Sequence, residues 1–180
     1  MASEDFYHDL EDLSRQDSFT KVARITPKGA KVQKPLEYVT RLVVLLKNNF
    51  DPAFDVEEYI DNGIISLAEN PRVIEKIKAT FTSTFDLLYA SAGQDALRRY
   101  EAKSGGFVGK VGQVALEAVA IGIARNLRSI LQKSDPEKFV LRRIKEFWSQ
   151  RQVSEFSKAG VSGGKRLQQT LPFGEDFFKP

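Results

Sequence analysis

The sequence predicts an all-α protein, a single compact multi-helix bundle of about six to eight helices with a short N-terminal extended segment. Three observations predict it. Apolar residues recur three and four positions apart through most of the chain. Proline and Asp or Asn stand together where those patterns begin, at Asn70-Pro71 and Asp135-Pro136. A strand pattern is confined to one weak segment, Phe19–Ile25.

In chain order, residues 3–17 read as a short acidic amphipathic helix with Phe6, Leu10 and Leu13 on one side. Residues 18–35 hold Pro27, Gly29, Pro35 and four lysines, which reads as a connector. Pro35 suits the first turn of the next helix, whose stripe is Leu36, Val39, Val43 and Leu46. Asp55 is a good N-cap for a helix over 56–68, with Glu57 and Glu58 favourable in its first turn. Pro71 opens a helix carrying Ile74, Ile77, Phe81, Phe85 and Leu88, which Gly93 interrupts; 95–102 reads as a separate turn. Ser104-Gly-Gly106 and Gly109 read as a flexible loop before a long helix at about 110–132. Ser134-Asp-Pro-Glu137 reads as a capping box for a helix over 136–151, with Phe139, Val140, Ile144, Phe147 and Trp148 on its apolar face. A last short helix is expected at 163–171. The division is an acidic helix and basic connector over 1–34, then a helical domain with an aromatic tail over 35–180.

Composition bounds the chemistry. The 180 residues are 42% hydrophobic and 28% charged, enough for one domain with a real core. The longest apolar run, 114–124, is broken by Glu117 and is too short to span a bilayer, so no membrane contact is expected. The acidic Met-Ala-Ser-Glu-Asp start lacks the pattern of a secretory signal, and its initiator methionine suits an independent chain. With no cysteine the chain fits a reducing compartment, and the expected location is cytoplasmic. One histidine, His8, leaves little material for a Ser–His engine or a zinc site, so no catalytic residue, metal or cofactor is assigned.

The net charge of +3 hides a polarity. Residues 1–20 carry six acids against Arg15, whereas residues 98–151 carry twelve bases against five acids. A basic middle of this kind suits a phosphate backbone, although solvated helix faces look the same in sequence.

Two glycine–lysine patterns fail as phosphate loops. Gly105-Gly-Phe-Val-Gly-Lys110 has Ser104 where the first glycine belongs and Val111 after the lysine. Ala159-Gly-Val-Ser-Gly-Gly-Lys165 fails at Ala159 and Arg166. Gly160-Val-Ser-Gly-Gly164 matches a nucleophile elbow, but no strand precedes it and His8 lies upstream. Ser162, Gly163, Gly164, Lys165 and Arg166 are the best local candidates for a phosphate contact, as a nest before a helix start; Arg142 and Arg143 join them from the basic middle. The competing reading is a glycine-rich helix start with solvated bases.

Glu117 is expected to be buried, because Val114, Ala118, Ile121 and Ala124 surround it at helical spacing. A buried carboxylate needs a partner, with Arg98, Arg99 or Arg125 as choices, and a site acid is the alternative. Ala115, Ala118 and Gly122 put small residues along that helix, which predicts close approach of another helix. Phe6, Leu10 and Leu13 at the start, and Phe173, Phe177 and Phe178 at the end, are assigned to partner docking. Folding back onto the domain is the commoner fate of such aromatics.

Taken in order, five pieces resemble one family: Leu36-Glu-Tyr-Val-Thr-Arg41-Leu-Val-Val-Leu45, Phe54-Asp-Val-Glu-Glu-Tyr-Ile60, Gly93-Gln-Asp-Ala-Leu-Arg98, Leu116-Glu-Ala-Val-Ala-Ile-Gly122, and Phe156…Gly160-Val-Ser-Gly163…Arg166-Leu-Gln-Gln-Thr-Leu171…Gly174…Phe177. The series, about four-fifths of the chain, is similar to the C-terminal helical half of the GmrS-like (ParB/sulfiredoxin-like domain) family of modification-dependent restriction and phage-defence proteins. The family's N-terminal catalytic domain, with its Asp-Gly-Gln-Arg type motif, has no counterpart here; Asp61-Asn-Gly63 differs in context. The resemblance therefore implies a non-catalytic helical subunit of an anti-phage or DNA-restriction complex. Its expected partners are a protein with a ParB-like nuclease or nucleotidase domain, and DNA. A purely structural adaptor without nucleic-acid contact is the alternative, and an enzyme centred on Glu117 is a third reading.

Overall fold

A computed structural model of the protein describes residues 2–158 and 160–180, with the side chains of Ala2 and Ser3 left aside. Met1, and Ala159 of the second rejected glycine–lysine pattern, lie outside the described residues. The described residues form an all-α bundle with one small hairpin. Its helices are α1 (Ala2–Arg15), α2 (Asp17–Val22), α3 (Pro27–Lys31), α4 (Lys34–Lys47), α5 (Val56–Ala68) and α6 (Pro71–Ala92). The strands β1 (Arg99–Glu101) and β2 (Gly106–Val108) follow. A π-helical segment, Ala115–Ala120, runs into α7 (Ile121–Leu131); α8 (Pro136–Phe147), α9 (Arg151–Phe156) and α10 (Gly163–Phe177) complete the chain. The ten α-helices exceed the expected six to eight because short turns such as α3 and α9 are separate elements.

Capping explains the main starts. Asp55 accepts a hydrogen bond from the Glu58 N–H at 2.8 Å, and Asp135 accepts one from the Lys138 N–H at 2.9 Å. The cap of α8 is thus Asp135, one residue later than a box beginning at Ser134. Pro35, Pro71 and Pro136 stand in the first turns of α4, α6 and α8, where the missing N–H has no intrahelical partner to lose.

Three local expectations are corrected. Phe19–Ile25 is not extended: α2 covers most of it, because Phe19, Val22 and Ala23 lie at helical spacing and all bury. Phe19 meets Phe81 and Phe85 of α6 at ring-centroid distances of 5.3 and 5.0 Å. Residues 99–108 form an antiparallel hairpin rather than a turn and a flexible loop, with Tyr100 opposite Phe107. The last helix runs past Pro172 to Phe177, because packing on both sides of the proline outweighs the missing hydrogen bond.

The core is continuous from α1 to α10. Phe6, Leu10 and Leu13 of α1 lie inside it, against α4 and α6, and Asp9 pairs with Lys78 of α6. The hydrogen bond that Lys78 donates to Asp9 holds its ammonium above the usual range, against the opposing effect of burial.

At the centre, α10 crosses the π segment and α7. A Cβ on Gly174 would sit 2.1 Å from the Ala118 carbonyl oxygen, and one on Gly122 would sit 2.5 Å from the Gly174 carbonyl oxygen. Gly174 therefore seats between Ala118 and Gly122, one helical turn apart, and the close helix approach expected at Gly122 is present. A mid-helix glycine costs about 1 kcal/mol relative to alanine. Here backbone contact at the crossing requires it.

Gly174→Ala is expected to lower stability by roughly 1–3 kcal/mol through overpacking, despite alanine's better helix propensity. Thermal unfolding would show a midpoint lower by several degrees; a raised midpoint would mean that the two backbones do not meet there.

Candidate functional site

Glu117 sits in the π segment and is 1% exposed. Its partner is Arg166 of α10, rather than Arg98, Arg99 or Arg125. Arg166 Nε and Nη2 donate to the two carboxylate oxygens at 2.9 and 3.0 Å. The Thr170 hydroxyl, one turn further along α10, lies 3.1 Å from Glu117 Oε2. This two-pronged pair satisfies a charge that would be costly alone, and leaves both oxygens engaged. Burial and engagement together make Glu117 a staple between the π segment and α10.

Two neighbours extend the network. Arg125 of α7 donates to the Leu45 and Asn48 carbonyls at 2.8 and 2.9 Å, closing the C-terminal end of α4, and pairs with Glu175 of α10 at 2.8 Å. Asn126 Nδ2 donates to the Gly122 and Glu175 carbonyls at 2.9 and 2.7 Å.

The segment assigned to phosphate contact has a different use for most of its residues. Ser162 caps α10 by accepting from the Lys165 N–H at 3.3 Å. Gly163 and Gly164 give room to neighbours: their missing Cβ atoms face Val56 at 3.5 Å and Phe50 at 3.3 Å. Arg166 is committed to Glu117, while the Lys165 side chain is exposed.

Arg143 reaches the Phe177 carbonyl, lies 3.9 Å over the Phe177 ring, and pairs with Glu146 at 2.8 Å. It ties α8 to the end of α10. Phe178 is fully buried and stacks near Phe147, while Phe173 and Phe177 pack against the same ring. The aromatic tail therefore folds back onto α8, and the six apolar residues assigned to partner docking all serve the protein's own core.

Arg142 belongs to a different surface. Lys138, Arg142 and Lys145 stand four and three residues apart on α8, opposite the buried Val140, Ile144 and Phe147. Lys133 and Arg142 lie over the Phe139 ring at 5.3 and 5.7 Å, and Lys145 lies over Tyr100 of the hairpin at 5.1 Å. The result is a row of four cations, three of them over aromatic rings. Glu146 pairs with Arg142 at 3.0 Å as well as with Arg143. Partial burial opposes ionisation of Glu146, but hydrogen bonds from Arg143 and the charge of Arg142 outweigh it and hold the carboxyl below its usual range. It stays charged at neutral pH and offsets one arginine, so the stripe keeps the charge of Lys133, Lys138 and Lys145. The sequence count located the basic region; its division into structural arginines and an outward-facing row depends on helix phase and on the hairpin beside α8.

Among the described residues, no group of three or more His, Asp or Glu side chains is placed to hold a metal ion, and no helix is long and apolar enough to cross a membrane. Comparison with protein-family models, curated proteins and solved structures returns no match.

Arg166→Ala is expected to destabilise the fold by about 3–5 kcal/mol by leaving Glu117 buried and unpaired. Arg166→Met combined with Glu117→Leu should recover most of that loss. Urea unfolding of the two variants measures both; equal losses would place the energetic weight elsewhere than in the charge pair.

Proposed function

We propose that this chain is a non-catalytic helical subunit of a bacterial anti-phage or DNA-restriction complex, and that the α8 stripe is its nucleic-acid contact. The single observation that carries the nucleic-acid clause is the row Lys133, Lys138, Arg142 and Lys145, three of them lying over Phe139 or Tyr100. Cations along one helix face match the spacing of phosphates without reading bases, so the contact is one of backbone and charge. The defence assignment is supported by the ordered resemblance of residues 35–178 to the GmrS-like helical half. On this reading the nuclease or nucleotidase chemistry belongs to a ParB-like partner domain, and the assembly works in the cytoplasm.

Arg166 has no part in this interface, because its guanidinium is held internally by Glu117. Replacing Lys138, Arg142 and Lys145 together by alanine should weaken duplex DNA binding. It should also flatten the dependence of log K on log salt by about 0.9 for each phosphate no longer neutralised. Fluorescence anisotropy over a salt series reads both. DNA binding that is absent, or independent of salt, would leave the adaptor without nucleic-acid contact as the better reading.

A further inference from the structure

We infer that the groove between α4 and α5 is a docking site for a cationic amphipathic helix of a partner protein. The groove has a volume of about 580 Å³ and is open to solvent. Its construction is regular. Leu36 and Thr40 stand one turn apart on α4, and Val56 and Ile60 one turn apart on α5; Val32, between α3 and α4, closes one end. These give an apolar floor, with Val32 69% exposed at one end.

Outside the floor, each wall carries charge at the same helical step. Glu37 and Arg41 rim the α4 side, and Glu57 and Asp61 rim the α5 side. All three carboxylates belong to exposed residues and none forms an ion pair with a described residue. Against them stands one cation, Arg41, so the rim is net acidic in a chain whose net charge is +3.

The groove thus offers apolar area and an acidic rim.

The occupant that fits is a helix. Two helical walls, with Leu36 on one and Val56 and Ile60 on the other, accept a third helix carrying apolar residues three and four apart. Along its helical walls the groove runs from residue 36 to residue 41 and from 56 to 61, about one and a half turns at ~1.5 Å per residue. The rim charge selects lysine or arginine on that helix's flanks and disfavours acids. The inference gives the proposed subunit's protein partner a place to bind. It rests on the docking part of that reading and not on the α8 stripe.

The test uses the full chain and a synthetic helical peptide of roughly fourteen residues, with leucines three and four apart and lysines on both flanks. A second peptide replaces the lysines by glutamates. Amide chemical shifts should move at 36–41 and 56–61 with the cationic peptide and stay still with the acidic one. Glu37→Gln with Glu57→Gln and Asp61→Asn, all at exposed positions, should weaken the cationic peptide at least tenfold, while the α8 alanine variant binds it normally. No binding at millimolar peptide, shifts confined to another surface, or equal affinity for the neutralised variant would overturn the site. Shifts at the same residues caused by protein concentration alone would assign the groove to a second copy and overturn the partner-helix inference. The DNA titration reads the α8 stripe separately, so failure of the groove and failure of the nucleic-acid reading are distinguishable.

Discussion

The close crossing of α10 over the π segment and α7 is the constraint on which the rest of this structure depends. At Gly174 and Gly122 no side chain separates the two backbones, and the Ala118 and Gly174 carbonyls occupy the space that Cβ atoms would need. Close packing of backbone on backbone brings dispersion contacts that larger residues would prevent, and it fixes the register of α10 to within one residue. A shift by a single position would drive Phe173 or Glu175 into the Ala118 carbonyl.

Once that register is set, the polar groups around it follow. Arg166 stands two turns before Gly174 on α10 and reaches Glu117 one residue before Ala118; Glu175, just after the crossing, reaches Arg125 three residues beyond Gly122. Arg125 in turn closes the end of α4 through the Leu45 and Asn48 carbonyls. The π geometry of residues 115–120 belongs to the same arrangement. A wider turn rotates the residues that follow it relative to those before it, so Glu117 and Gly122 can both address α10. The buried carboxylate therefore acts as a fastener at a crossing that tolerates no slip. Its low exposure, which in isolation resembles a site acid, has a structural cause.

Much of this was legible in the sequence, and the failures have identifiable physics. Helix starts at Asp55, Pro71 and Pro136 were readable because caps and proline act locally. The burial of Glu117 and the close approach at Gly122 were readable from helical spacing. The partner of Glu117 was not, since Arg166 is 49 residues away and nothing local selects it over Arg125. The hairpin was missed because three-residue strands contain too little alternation to register. The terminal aromatics, assigned to partner docking, had folding back as the alternative, because a sequence shows that apolar residues sit near a chain end, but not that α8 offers Phe147 as their seat. The groove between α4 and α5 left no signal of its own, because Leu36 reads as part of the α4 core stripe and nothing local shows that one side of it stays uncovered.

The charge polarity of the sequence acquires a different meaning in three dimensions. Of the bases in the middle region, Arg98, Arg125 and Arg143 are turned inward, where they hold carbonyls and carboxylates. The other nine are five lysines and four arginines, of which Lys133, Lys138, Arg142 and Lys145 stand on α8 and its flank. Arginine's planar fork suits the internal work of bridging several acceptors, whereas lysine's compact charge on a flexible stem suits a surface that meets phosphates without fixed geometry. The acidic excess of residues 1–20 is similarly divided: Asp17 pairs with Lys21 on its own helix flank, and Asp9 with Lys78 of α6. Carboxylates without an ion-pair partner stand beside apolar area at the rim of the α4–α5 groove, a region that charge counts along the chain did not distinguish. Opposite charges thus stand on two surfaces built from different helices, the cationic row on α8 and the acidic rim on α4 and α5, so helix phase rather than chain position separates them.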